Sequence, residues 1–214
     1  MINNYDKIAN QYDTLSRLVF FKSQVNAQIN QLHNIPKDSS VLIVGGGTGW
    51  ILEEIVKLHP SGIKIIYVEI SAKMLTLSKA RNYGGNEVEF VNIGIEAFET
   101  NLIFDVILTP FLFDNFSEQR IGVVFSKLNN LLKQNGKWLL VDFSLNTNKG
   151  KWWKWLVLKS MYVFFKMLGI VEATNLIDVK PYFVAEQYQV VEERFYYAGF
   201  IKASVFIKNN MTNI

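Results

Sequence analysis

The run Gly45-Gly46-Gly47-Thr48-Gly49 constrains this chain more than any other segment. It stands directly after Val41-Leu42-Ile43-Val44, a short unbroken apolar run of the kind found in a strand buried on both faces. Directly after it, Trp50 to Leu58 carries apolar residues at helical spacing, and Pro60-Ser61-Gly62 stops that helix. A strand, a glycine turn and a helix in that order open a βαβ unit. Glycine permits positive φ and lets a ligand approach the backbone, while the helix N-terminus beyond presents unpaired N–H groups. The spacing is G-x-G-x-G. It lacks the G-x-G-x-x-G of dinucleotide-binding folds, and no Lys follows that would hold the outer phosphates of a nucleoside triphosphate. Twenty residues after Gly49, Glu69 falls at the end of the next β-branched run, where an acid can accept hydrogen bonds from ribose hydroxyls.

The alternation continues along the chain. Ile63 to Ile70 reads as a second strand and Ser71 to Arg81 as a helix; Val88 to Ile93 and Phe104 to Leu108 read as strands three and four. A helix over Glu118 to Leu132 and a turn at Asn135-Gly136 precede a fifth strand, Trp138 to Phe143. Residues 150–169 predict a long helix and Asp178 to Gln187 a shorter one. Gln189 to Tyr196 and Phe200 to Lys208, joined by Tyr197-Ala198-Gly199, read as a closing antiparallel hairpin. Residues 1–35 read as helical. The expected fold is therefore α/β, a doubly wound, mostly parallel sheet of seven strands with right-handed crossovers and one antiparallel strand.

Composition narrows the chemistry. There is no Cys among 214 residues, which removes disulfides, thiolate metal sites and Cys nucleophiles, and fits the cytoplasm. The two His, His33 and His59, give no metal site and no persuasive general base. Net charge is +3, from 22 Lys and Arg against 19 Asp and Glu, so nucleic acid is not an expected partner. The polar start, Met1-Ile2-Asn3-Asn4-Tyr5-Asp6, does not read as a signal peptide.

Several segments together resemble a family. Val41 to Gly49 resembles motif I of class I S-adenosylmethionine (SAM) methyltransferases, and Glu69-Ile70-Ser71-Ala72-Lys73-Met74-Leu75 is similar to the segment holding the ribose-binding acid. Phe104-Asp105-Val106-Ile107-Leu108-Thr109-Pro110 is similar to motif IV, and Leu131 to Leu140 resembles the approach to strand five. Tyr5-Asp6-Lys7-Ile8-Ala9-Asn10-Gln11-Tyr12-Asp13 resembles the N-terminal helix of ubiquinone/menaquinone-biosynthesis-type methyltransferases. The resemblance covers residues 1–143 in order. It implies a Rossmann-like methyltransferase sheet and a single SAM-methyltransferase domain over 1–214, with a helical lid at 1–35 and a helical cap insert at 145–180.

The resemblance also assigns roles. The backbone of Gly45, Gly46, Gly47, Thr48 and Gly49 contacts the methionine part of SAM. Glu69 holds the ribose, with Ile70 and Met74 near the adenine. Gly94, Ile95 and Glu96 reach the adenine edge, and Thr109 and Pro110 line the methyl-transfer site. Tyr5 and Tyr12 close over the cofactor; seven apart, they share a helix face, which fits a lid and ordinary amphipathic packing alike. Tyr12 and Asp114 are the candidate catalytic groups, and Asp114 fits a helix-cap role as well. Two positions depart from the family pattern: Ile43 and Gly94 stand where many members carry Asp.

The acceptor is expected to be a small, apolar or aromatic molecule: a quinone, lipid or secondary metabolite. Three Phe, at 111, 113 and 116, follow strand four. Around the 150–169 helix, Lys151, Lys154, Lys159 and Lys166 fall within an arc of about 140° at 100° per residue, with Trp153, Leu156, Val157, Val163, Phe164, Met167 and Leu168 on the wide opposite face. The pattern fits a cap that buries its apolar face and exposes its lysines. It also fits an interfacial helix giving peripheral membrane contact through 151–169. An NAD-dependent oxidoreductase is opposed by the glycine spacing and by the lack of a Tyr-x-x-x-Lys pair. The alternative from another class is a non-catalytic SAM-fold protein acting as a binding or membrane-surface partner.

Overall fold

The computed structural model describes residues 5–9, 14, 19–20, 22–145, 150–167, 173 and 175–209. Seven strands form one sheet: β1 (Ser40–Val44), β2 (Ser61–Val68), β3 (Gly85–Val91), β4 (Phe104–Pro110), β5 (Leu132–Phe143), β6 (Gln189–Tyr196) and β7 (Ile201–Ile207). Their spatial order is β3-β2-β1-β4-β5-β7-β6. The pairings among β1 to β5 are parallel, while β7 runs antiparallel to both β5 and β6. This is the doubly wound, mostly parallel sheet with a C-terminal antiparallel hairpin that the sequence predicts. The helices are α1 (Ser23–Ile29), α2 (Trp50–Leu58), α3 (Ala72–Lys79), α4 (Glu118–Leu131), α5 (Lys151–Met167) and α6 (Lys180–Ala185).

The central strands β1, β4 and β5 are covered on both faces because they are apolar on both. In β1, Val41 and Ile43 pack against Ile51, Leu52 and Ile55 of α2, while Leu42 and Val44 belong to the opposite core with Val124, Phe125 and Leu128 of α4. Trp138 anchors that second core. It is fully buried, stacks on Phe125 at 5.1 Å between centroids, and donates its indole N–H to Thr109 Oγ1 at 2.8 Å. That bond satisfies the one polar atom the indole takes out of water. A third core joins Phe20, Phe143, Phe200, Leu158 and Tyr162, and so seats α5 over the ends of β5 and β7.

Three expectations need correction. The turn predicted at Asn135-Gly136 does not precede β5; it lies inside it. Asn135 takes φ 60°, and the register between β4 and β5 shifts there, while Asn135 N–H and Gly136 C=O pair with Lys208 of the neighbouring C-terminal segment. The N-terminal reading of a helical 1–35 resolves, among the described residues, into 3-10 turns at Tyr5–Lys7 and Leu32–Asn34 and the helix α1. The expected orientation of α5 is the third. Lys154 is buried with Leu158 and Tyr162, so it belongs to no solvated lysine face. Trp152, Leu156, Val163 and Met167 instead face outward, each more than half exposed. With apolar side chains on most of its circumference, the helix can bury either side, and the stripe at i, i+4, i+8 through 154, 158 and 162 fits the groove over β5 and β7.

Candidate active site

The strand order reverses between β1 and β4, which open outward on either side of a cleft at their carboxyl ends, where α/β sheets bind ligands. The cleft has an empty volume of about 980 Å³. Its floor is the glycine turn. Gly45, Gly47 and Gly49 have φ of 70°, 62° and 78°, a region that side chains disfavour. Gly46 is glycine for another reason: a Cβ there would lie 2.6 Å from ring carbons of Tyr67, whose hydroxyl donates to Gly47 C=O at 3.0 Å. The turn is thus braced from β2, and Arg81 Nε braces it again by donating to Thr48 C=O at 3.0 Å.

Glu69 lies just past the end of β2, 4% exposed. Its Oε2 accepts the Gly47 N–H at 3.0 Å and its Oε1 the Ser71 N–H at 2.9 Å. Burial raises its pKa to about 7, against the pull of those backbone donors. Ser71 caps α3 by accepting Met74 N–H at 3.2 Å, which sets Ile70 and Met74 along one wall. Gly94, Ile95 and Glu96 form the wall beyond β3. The Glu96 carboxylate is hydrogen-bonded to Arg120; burial opposes its charge, but the guanidinium prevails and holds its pKa below the usual range. Pro110 lines the side toward β4.

The N-terminal segment lies across this cleft. Tyr5 donates its hydroxyl to Asn115 Oδ1, beyond β4, while Asp6 accepts from the Ser71 hydroxyl and from Lys73 N–H, at the start of α3. Those hydrogen bonds hold the Asp6 pKa down. Tyr12 lies outside the described residues.

The structure brings together at the cleft Tyr5, Gly45, Gly46, Gly47, Thr48, Glu69, Ile70, Met74, Gly94, Ile95, Glu96 and Pro110. It does not bring Gly49 or Thr109 there. Gly49 caps α2 and lies against Ser78, where a Cβ would come 2.6 Å from the Ser78 backbone. Thr109 is fully buried beneath Trp138, because alternation along β4 turns it into the core while Pro110 faces the cleft. The sequence reading missed Gln24 and Gln28 of α1, Asn115 and Arg120, which also line the cleft. The i, i+4 spacing of the two Gln on one face was the available signal.

Asp114 lies on a neighbouring apolar chamber rather than on the cleft, and the two spaces share Tyr5, Gln24, Phe111 and Asn115. The residues present fit S-adenosylmethionine: a close-approach backbone turn, a buried carboxyl at the end of β2 and an apolar shelf are brought to one cleft. Such a fold and site define a class I SAM-dependent methyltransferase. The comparisons agree. The model of the ubiE/COQ5 methyltransferase family matches residues 2–188, and the chain belongs to that family. The ubiquinone/menaquinone biosynthesis C-methyltransferase UbiE of Geotalea daltonii is 24% identical over 176 residues, 78% of this chain and 71% of that protein. Among solved structures, the N-methyltransferase NodS of Bradyrhizobium japonicum aligns with TM-score 0.59 and 11% identity, over 88% of this chain and 97% of that one. The 1,6-didemethyltoxoflavin-N1-methyltransferase of Burkholderia thailandensis, solved with bound 1,6-didemethyltoxoflavin and S-adenosylhomocysteine, aligns with TM-score 0.60 and 12% identity, over 98% and 92% of the two chains.

Proposed function

We propose that this methyltransferase acts on a small, apolar or aromatic acceptor such as a quinone, lipid or secondary metabolite. The observation that carries the reading is the adjoining chamber, about 1270 Å³ in empty volume, lined by Phe20, Phe111, Phe143, Met161 and Phe165 and sharing Tyr5 and Asn115 with the cleft.

S-adenosylmethionine, when bound, supplies a methyl group already activated on a sulfonium. The chain's residues bind, orient and exclude water. In this reading the backbone of Gly45 to Thr48 takes the methionine part. Glu69 takes the ribose, and Ile70, Met74 and Ile95 flank the adenine, with Gly94 and Glu96 at its edge. Pro110 faces the transferred methyl. Tyr5, tied across the cleft mouth, covers the bound cofactor, with residues 1–35 as the lid and 145–180 as the cap of a single domain over 1–214.

The outward face of α5 supports a peripheral contact with a lipid surface. It carries Trp152, 76% exposed, Trp155, Leu156, Val163 and Met167. Lys151 and Lys166 stand among them, Lys159 lies 5.9 Å from the Trp155 ring, and the helix contains no acid. Trp and Lys on one face suit the headgroup layer of an anionic bilayer. Among the described residues no helix is long and apolar enough to cross a membrane. A cytoplasmic protein resting on the membrane by this face would meet apolar acceptors where they concentrate.

The test is calorimetric titration with S-adenosylhomocysteine, with NAD as control, followed by labelled-methyl transfer to a panel of quinones, lipids and polar amines. Micromolar binding, about −8 kcal/mol, lost in Glu69→Ala, together with transfer to apolar acceptors, is expected. Transfer only to the polar amines would refute the acceptor class.

A further inference from the structure

The chamber beneath α5 is lined mostly by apolar side chains, with Tyr5, Gln24, Asp114, Asn115, Ser160 and Tyr162 as its polar members. Tyr162 is 6% exposed, and its hydroxyl has no hydrogen-bond partner. A buried hydroxyl without a partner is costly, by about 1–3 kcal/mol, and native structures rarely keep one that nothing completes. Asp114 lines the same chamber. Its carboxyl is held by Asn115, whose Nδ2 donates to Asp114 Oδ1 at 2.9 Å and to Phe111 C=O at 2.8 Å. Asp142, on β5, lies behind it. The Asp142 carboxyl accepts the Phe143 N–H at 2.8 Å. A carboxyl fixed by a neighbouring amide and an idle hydroxyl thus line one chamber together with Phe111, Phe143 and Phe165.

We propose that Asp114 and Tyr162 together recognise a hydroxyl on an otherwise apolar acceptor, and that Asp114 takes its proton. This rests on the apolar-acceptor reading and adds the polar end of the molecule. In the step, the acceptor's O–H bond breaks and its proton passes to the Asp114 carboxylate. The electron pair left on the acceptor, on oxygen or on a conjugated carbon, takes the methyl carbon. The pair of the methyl–sulfur bond stays on sulfur as the neutral thioether. The positive charge of the sulfonium and the negative charge of the Asp114 carboxylate disappear together. Burial, then repulsion from Asp142, raises the pKa of Asp114, and burial raises that of Asp142. A carboxylate whose pKa is raised in this way binds a proton more tightly than a free one, and so is the stronger base when it is ionised. Burial also raises the Tyr162 pKa, so its hydroxyl stays a neutral donor toward the acceptor oxygen.

The test uses 1-naphthol and 1-methoxynaphthalene as probes, titrated calorimetrically into the protein saturated with S-adenosylhomocysteine. 1-Naphthol is expected to bind about tenfold more tightly or better, one decade being 1.4 kcal/mol. Tyr162→Phe removes only an unpartnered hydroxyl and so preserves the packing. It and Asp114→Asn are each expected to abolish the preference while leaving S-adenosylhomocysteine affinity unchanged. Equal binding of both probes to the wild type, or an intact preference in both variants, overturns the assignment and leaves the apolar-acceptor reading standing. Binding of neither probe, with S-adenosylhomocysteine bound, overturns both.

Discussion

Replacing Glu69 with Gln separates what this carboxyl does for the fold from what it does in the cleft. In an unfolded chain the carboxyl titrates near 4.5; in the cleft, burial first, then the nearby Asp6, raises this to about 7. The folded state therefore holds a proton that the unfolded state has released, and the stabilisation is full below 4.5 and lost as pH rises through about 7. At 1.36 kcal/mol per pH unit, wild-type stability should fall by about 2–3 kcal/mol more than that of Glu69→Gln between pH 5 and pH 8. Asp114 and Asp142 titrate in both proteins and cancel in the difference. Urea denaturation of the cofactor-free proteins at the two pH values measures it. S-adenosylhomocysteine should bind the variant about tenfold to a hundredfold more weakly, since hydrogen bonds to a charged acceptor are worth about 1.5–3 kcal/mol. Parallel stability losses in the two proteins would refute the argument, because they would mean that Glu69 does not change its proton occupancy on folding.

Other perturbations follow from the same geometry. Gly46→Ala drives a methyl into the Tyr67 ring and breaks its bond to Gly47; a loss of about 2–5 kcal/mol is expected by chemical denaturation, and a loss under 1 kcal/mol would show that the ring has room to move. Tyr162→Phe removes an unpaired buried hydroxyl, so the melting temperature of the free protein should rise by about 2–4 °C for each kcal/mol recovered; a fall would mean that the hydroxyl has a partner in solution. Vesicles of phosphatidylcholine with phosphatidylglycerol should sediment the protein at low salt, and the double change Trp152→Ser and Trp155→Ser should weaken this about tenfold. Sedimentation unaffected by the double change, or a dimer by gel filtration that the change dissociates, would assign the face to something other than lipid.

Some of this was written locally in the chain. The boundaries of α2 at Trp50 and Leu58 coincide with the sequence reading because a glycine turn opens the helix and Pro60 follows it. The inner strand β1 was legible because a strand buried on both faces is apolar without interruption, whereas β3 and β6, partly exposed and carrying Glu, show no such run. Thr109 misled because neighbours in a strand face opposite ways, and a motif does not state which one meets the cleft. The orientation of α5 was hidden because apolar side chains surround it, so only the groove it fills decides that Lys154 goes in and Trp152 stays out. Asp114 and Tyr162 in the chamber, and Asp142 within electrostatic reach of Tyr162, come from three separate elements, and no spacing in the chain announces such a meeting.

The place of β7 bears on how the molecule is made. It lies between β5 and β6, although it follows both in the chain, and β6 has no other neighbour in the sheet. During synthesis, β6 must wait as an unpaired strand until residues 201–207 emerge and slide in beside it. The last part of the sheet therefore closes only once residues 201–207 are made, when α5 already needs its floor. A truncation before Ile201 would remove a central strand rather than an edge, and would leave two open flanks available to other nascent chains.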